Sequence, residues 1–158
     1  MKTSGIVLVL TCFSSIGLYL SYRTKACVKN LHEVLDLMKY IKNQIEFFST
    51  PIPDIYDNYS ANNKETASFI HDISLYDWEI ALKKRSKSLF DEKTVEILKC
   101  FGNGLGKSNK EQQLLHCDYY IDLIEKEYEK TEKNAPDKIK ITLALCFYAG
   151  LMVLILFI

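Results

Sequence analysis

The sequence has little glycine and proline and no excess of either charge. Six glycines and three prolines among 158 residues exclude collagen-like and loop-dominated chains. Twenty basic side chains balance twenty acidic ones, so the basic excess typical of nucleic-acid binding is missing and no nucleic-acid partner is expected. Charged residues at 25% and apolar residues at 48% also exclude a wholly disordered chain.

The sequence also lacks the spacings that metal sites and catalytic pairs need. Its five cysteines include no C-x-x-C pair, and His32, His71 and His116 stand far apart with no H-E-x-x-H pattern. Cys100 and Cys117 have no neighbouring base in the sequence, so we interpret them as small packed side chains rather than nucleophiles. These absences predict a protein without metal, cofactor or catalytic residues, and therefore not an enzyme.

Charge is missing from both ends of the chain and is concentrated in the middle. Residues 3–22 form a run of 20 without a formal charge, and residues 141–158 form another of 18. A helix needs about 20 mainly apolar residues to cross a hydrocarbon layer. The sequence therefore predicts two transmembrane helices, 3–22 and 141–158, around a middle domain of residues 23–140. A cleaved signal peptide is the alternative for the first run, but no A-x-A-like cleavage site follows it.

Basic residues lie beside both predicted spans, on the side of the middle domain. Such residues mark the cytoplasmic flank of a membrane helix. They follow the first span and precede the second at Arg23, Lys25, Lys29, Lys130, Lys133, Lys138 and Lys140. We therefore expect a multi-pass protein of the cell membrane with a cytoplasmic middle domain.

Two apolar seams of helical period run through the middle domain. Steps of three and four residues predict one helix with the seam Leu31, Val34, Met38, Ile41, Ile45 and Phe48. The same steps predict a second helix with the seam Leu114, Cys117, Ile121, Ile124 and Tyr128. We expect the two helices to pair antiparallel and the first to continue out of the first span. No alternating strand pattern is present, so an all-α bundle is predicted.

Turn and cap signals divide the chain between the seams. Thr50-Pro51 is expected to end the first long helix, because proline disfavours helix at the residue before it. Short helices are predicted over residues 54–59 and 65–73 and from Asp77, and Asp91 is predicted to cap another. Ser108 with Glu111 has the form of a capping box that opens the second long helix. Asn134-Ala135-Pro136 is expected to kink or break that helix.

The segment from Gly102 to Ser108 approaches a phosphate-binding P-loop without matching one. The pattern G-x-x-x-x-G-K-[ST] needs a glycine where Phe101 stands, and the segment follows a predicted helix instead of a strand. We interpret it as a glycine-containing joint between two helices. Trp78, the only tryptophan, is expected to be buried, since Ala81 and Leu82 follow it at helical spacing.

Two charged stretches are candidate contact surfaces. The basic run of residues 83–87 is interpreted as a solvated helix end, with a contact to anionic headgroups or an acidic partner as the alternative. The acidic residues between positions 118 and 132 are interpreted as a solvated face. A docking surface for a basic partner is the alternative for that stretch.

Several short motifs together resemble the stage III sporulation protein AB family of endospore-forming bacteria. Phe101-Gly102, Leu105-Gly106 and Gln113 resemble the family's F-G-x-x-L-G-x-x-D with a Gln four residues on. Asn109 stands where that pattern has its Asp. Further matches are Ile45 with Thr50-Pro51-Ile52, Trp78-Glu79 with Leu82, and the tail from Gly150 to Leu156. The resemblance covers essentially the full length.

The resemblance implies a domain like the cytoplasmic domains of type II secretion and type IV pilus platform proteins. The implied function is that of a non-enzymatic platform subunit of the SpoIIIA–SpoIIQ channel complex between mother cell and forespore, required for sporulation. Expected partners are the cytoplasmic ATPase of the operon, other SpoIIIA membrane subunits, membrane lipids and further copies of the chain. The middle domain would face the mother-cell cytoplasm. Structural or interaction candidates are Thr50, Pro51, Trp78, Phe101, Gly102, Leu105, Gly106, Ser108 and Gln113.

A different class of function remains open from the residues alone. A membrane-anchored sensor with a helical ligand- or partner-binding domain would have the same composition, with the opposite topology. An enzyme is the weakest alternative, because no motif for one is complete.

Overall fold

The computed structural model describes residues 2–48 and 50–157, and these residues form helices joined by short connections. No strand occurs among them. The elements are α1 (Lys2–Asn43), a π-helical turn (Gln44–Phe48), α2 (Ile52–Asp57), α3 (Lys64–Leu75), α4 (Trp78–Leu89), α5 (Glu92–Gly104) and α6 (Lys110–Phe157). The all-helical prediction is therefore correct for the described chain.

The prediction of two transmembrane helices is wrong. Within residues 2–48 and 50–157, no helix combines the length and the apolar character needed to cross a membrane. Hydroxyl side chains interrupt the apolar residues of α1, where Ser15 donates to the Thr11 carbonyl at 2.7 Å and Ser21 to the Gly17 carbonyl at 2.8 Å. In α6 the apolar run begins directly after Lys138 and Lys140.

The chain divides into two compact units, and the long helices α1 and α6 contribute to both. Unit 1 comprises Met1–Val28 and Thr131–Ile158, and unit 2 comprises Lys29–Lys130. The predicted limits of 23 and 140 for the middle domain stay a prediction.

In unit 1 the two helical segments pack closely where each carries a glycine. A Cβ on Gly17 would lie 3.2 Å from Leu143 Cδ2 and 3.3 Å from Cys146 Cβ, and one on Gly150 would lie 3.4 Å from Phe13 Cβ. Glycine permits this close approach of two helix backbones. Many other large apolar side chains of unit 1 are exposed, among them Tyr19, Tyr22, Leu145 and Met152.

Unit 2 is built on the antiparallel pairing of α1 with α6 that the two seams predicted. Lys39 binds Glu125 at 2.9 Å, and Lys42 binds Asp118 at 2.6 Å, so positions that ascend along α1 descend along α6. The Asp118 hydrogen bond is the main reason that the pKa of Lys42 is raised. Every predicted seam residue of α1 is buried except Phe48, and Cys117, Ile121 and Ile124 are buried on α6.

Three of the four short helices, α3, α4 and α5, start at side-chain caps, and the sequence predicted the one at Asp91. Asp91 accepts the Thr94 amide at 3.1 Å, and Asp77 accepts the Ile80 amide at 2.8 Å. The predicted Ser108 cap is wrong by one residue. Asn109 accepts the Gln112 amide at 3.0 Å instead, and α6 begins at Lys110. Both Ser and Asn are good capping residues, so the pattern did not separate them.

The chain stays helical through Pro136, so a break there is wrong and a kink stays a prediction. A proline inside a helix removes one backbone hydrogen bond, and the helix can continue on either side of the missing bond. The predicted end of α1 is correct within a residue or two, since the π-helical turn carries the helix to Phe48.

Part of the basic run holds α4 to α3. Asp72 is buried, and its carboxylate accepts from Lys84 at 2.8 Å and from Arg85. The hydrogen bond from Lys84, followed by that from Arg85, lowers the pKa of Asp72 below its ordinary value. These two basic residues therefore bind α4 to α3, although the Lys84 side chain stays 55% exposed to solvent.

Candidate interaction site

Trp78, at the start of α4, is a central member of the unit 2 core. It is 4% exposed, and its indole N–H donates to the Tyr56 hydroxyl at 2.8 Å. The rings of Phe69 and Phe101 lie edge-on to it, with centroids 5.8 and 5.3 Å away. Burial raises the pKa of Tyr56 to about 12, so this hydroxyl stays protonated and available to the indole. The burial predicted for Trp78 is confirmed.

Gly102 lets the last turn of α5 lie directly on Trp78. A Cβ at this position would be 2.1 Å from Trp78 Cγ and 2.3 Å from Trp78 Cβ. Carbon atoms in favourable contact are about 3.5–4.0 Å apart, so a Cβ at this position would overlap Trp78. Phe101 is fully buried and Leu105 is 9% exposed in the same core. The motif residues Phe101, Gly102 and Leu105 therefore fix α5 against α4.

Two further glycines shape the end of α5 and the connection to α6. Gly106 has φ +76°, in the left-handed region that glycine adopts without strain. Gly104 leaves room for the His116 ring, which would lie 2.1 Å from a Cβ there. His116 Nε2 is 2.9 Å from the Phe101 carbonyl oxygen, so α6 also holds the end of α5. The prediction of a glycine-containing joint between two helices is confirmed.

An open groove of about 470 Å³ lies between this joint and the turn that follows α1. Five of the nine candidate residues line it, together with four residues that the sequence did not single out as site residues. Its lining residues are Ile45, Thr50, Pro51, Ile52, Pro53, Gly106, Ser108, Lys110 and Gln113. Of the other four candidates, Trp78, Phe101 and Leu105 are core residues, and Gly102 packs against Trp78. Whether the nine bind a partner stays a prediction.

Phe47 and Phe48 adjoin the groove in sequence, and each is 71% exposed. Phe48 was predicted as a buried seam residue, and this prediction is wrong. A π-helical turn holds about one more residue per turn than an α-helix. Ile45 in this turn is still buried, but Phe48 is shifted out of the buried seam. The hydroxyl of Thr50 donates to the Gln44 side chain at 3.0 Å, which ties the chain after the turn back to its start.

The described residues contain no group of three His, Cys, Asp or Glu side chains able to hold a metal ion. Cys117 is buried as interpreted, and burial raises the pKa of its thiol to about 11. Cys100 is exposed, so its interpretation as a packed side chain is wrong. The P-loop-like segment joins two helices, as expected, and lacks the preceding strand of a phosphate cradle.

Most of the acidic stretch on α6 is satisfied within unit 2. Asp118 and Glu125 pair with lysines of α1, and the largely buried Glu127 pairs with Lys93 of α5. Asp122 pairs with Lys126 one turn along α6, at 2.6 Å. The pairs of Asp118, Glu125 and Glu127 join α6 to α1 and α5, whereas the Asp122 pair lies within α6. The side chains of Asp118, Asp122 and Glu125 stay about half exposed, as expected of a solvated face, and docking of a basic partner here stays a prediction.

The fold and the groove define a class of protein: a helical scaffold with an open groove between two inter-helix connections. The model of the family described as stage III sporulation protein AB matches residues 2–158. The chain belongs to this family, as the sequence motifs predicted, and is a stage III sporulation protein. No match was found among curated proteins or among solved structures.

Proposed function

We propose that this protein is a non-enzymatic platform subunit of the SpoIIIA–SpoIIQ channel complex between mother cell and forespore. In this proposal unit 2 docks the cytoplasmic ATPase of the complex. Family membership supports a role at stage III of sporulation, and the platform role is our inference from it. The observation that carries the proposal is the groove, because the two family-like motifs, distant in sequence, both contribute to its lining.

The exposed pair Phe47 and Phe48 supports a protein partner at this end of unit 2. Each ring leaves about seven-tenths of its surface to solvent. Large aromatic side chains in contact surfaces often contribute most of the binding free energy. Exposed neighbouring phenylalanines are also costly to hydrate, so a partner that covers them gains the full hydrophobic contribution.

We further propose that the protein is located at the cell membrane, with unit 2 in the mother-cell cytoplasm. The apolar side chains exposed on unit 1 support this location, since Tyr22, Leu145 and Met152 are each more than 60% exposed. Such a surface favours contact with lipids and with other SpoIIIA membrane subunits. Replacing Leu145 and Met152 by Glu should move the protein out of the membrane fraction of sporulating cells. Replacing the equally exposed Leu115 of unit 2 by Glu should not.

The docking proposal is tested by measuring binding of the purified operon ATPase to the immobilised full-length chain. The double change Phe47→Ala/Phe48→Ala should weaken binding by about tenfold or more, in the range of interface hot spots. Leu75→Ala is the matched control, because Leu75 is also a large exposed apolar residue and lies on α3 away from the groove lining. Absence of any ATPase binding to the unchanged chain would refute the docking proposal.

A further inference from the structure

A largely buried amide side chain lines the groove and opens onto it. Gln113 is 9% exposed, and its side-chain amide makes no hydrogen bond to any described residue. The amide atoms are not among the fully buried polar atoms that lack a partner, so they are accessible from the groove. A carboxamide offers both an N–H donor and a C=O acceptor, which is the complement of one peptide unit.

The rest of the lining fits an extended polypeptide. Pro51, Ile52 and Pro53 give the groove an apolar wall, and none of its prolines can donate a competing backbone hydrogen bond. Its volume of about 470 Å³ falls in the range of sites that hold a small ligand or a few residues of peptide. Gly106 lies close to this wall, since a Cβ there would be 3.1 Å from Ile52 Cδ1.

The charge of the lining is positive. Lys110 is its one charged member among the described residues, and Lys107 lies between the lining residues Gly106 and Ser108. Lys110 is also the first residue of α6, where the helix dipole is positive and the first amides have no acceptor within the helix. Glu111 follows in the first turn and does not line the groove. This end of the groove therefore favours a carboxylate.

From these observations we propose that the groove binds an extended segment of a partner protein carrying an Asp or Glu side chain beside an apolar residue. The Gln113 amide pairs with a backbone peptide unit, Lys110 binds the carboxylate, and the proline wall receives the apolar side chain. The inference rests on the proposed docking function and names the chemistry of the docking segment. A segment of the ATPase is the occupant that the proposed function supplies.

The experiment measures fluorescence anisotropy of short labelled peptides that tile the ATPase sequence, with the full-length chain as receptor. At least one peptide containing Asp or Glu should bind, and its Asp→Asn or Glu→Gln form should bind about tenfold more weakly. Gln113→Leu and Lys110→Glu should each weaken binding by about tenfold. The matched controls Gln112→Leu and Lys130→Glu should stay within about twofold, since Gln112 is exposed outside the lining and Lys130 lies about 30 Å further along α6. Unchanged thermal unfolding of each variant shows that the fold is retained.

The outcomes separate this inference from the function on which it rests. If the intact ATPase binds the chain and the two groove variants bind it equally well, the groove assignment is wrong and the docking proposal survives. Peptide binding that is insensitive to the acidic residue also overturns the assignment. If neither the intact ATPase nor any peptide binds the unchanged chain, both proposals are wrong.

Discussion

Replacing Gly102 by Ala tests whether close packing of α5 on Trp78 holds unit 2 together. The added Cβ would lie 2.1 Å from Trp78 Cγ, about 1.4 Å inside the shortest favourable carbon contact. Trp78 has little room to move, because its indole N–H is hydrogen-bonded to Tyr56 and its ring contacts those of Phe69 and Phe101. Overpacking of this kind is unfavourable by about 1–3 kcal/mol, and we expect the upper end. The better helix propensity of Ala offsets about 1 kcal/mol, which leaves a net loss of about 2 kcal/mol.

Thermal unfolding followed by circular dichroism measures this loss. For a chain of this size, a loss of about 2 kcal/mol lowers Tm by about 4–8 °C. Asn103→Ala is the control, since Asn103 is exposed in the same helical turn and should change stability by less than about 0.5 kcal/mol. A Gly102→Ala protein with unchanged or raised Tm would refute the packing argument.

Three further predictions follow from the geometry. Gly106→Ala should destabilise the protein by about 1–2 kcal/mol, because its φ of +76° strains any residue with a Cβ, and Gly106→Asn should lose less; chemical denaturation compares the two. Asp72→Asn should lower Tm at neutral pH. The hydrogen bond from Lys84 lowers the pKa of Asp72 in the folded state. The higher Tm of the wild type should therefore be fully present above the unfolded-state pKa of about 3.9 and be lost as pH falls through the folded-state pKa. A Tm difference that persists below that range would contradict the assignment. In variants that keep a single cysteine, Cys100 should react rapidly with a maleimide at pH 8, because it is exposed. Cys117 should react only on unfolding, because burial shields its thiol and raises its pKa to about 11. Equal reaction rates would contradict the burial of Cys117.

The helices of unit 2 could be predicted because their signals are local. The seams of α1 and α6 follow from the recurrence of apolar residues at three and four positions, and the cap at Asp91 follows from one side chain and the next turn. The incorrect predictions for these helices also have local causes. A π-helical turn shifted Phe48 out of its predicted seam, and two adjacent capping residues made Ser108 and Asn109 indistinguishable by pattern.

The candidate site was predicted less completely than the helices. Thr50, Pro51, Gly106, Ser108 and Gln113 were singled out through the family resemblance, and their gathering into one groove depends on the packing of connections far apart in the chain. The exposure of Phe47 and the lack of a partner for the Gln113 amide are also properties of packing. No local pattern in the sequence reports them.

By itself the sequence determined the helical class, the antiparallel pair of long helices and the family, because helix periodicity, caps and motifs are written in neighbouring residues. Only the tertiary structure decided that Gly102 is a contact point for Trp78, that Lys84 and Arg85 bind the buried Asp72, and that the two connections form a groove. It also overturned the two predicted spans. The physical reason is that burial, close approach and pairing depend on residues brought together from distant positions, whereas helix formation depends on residues three and four apart.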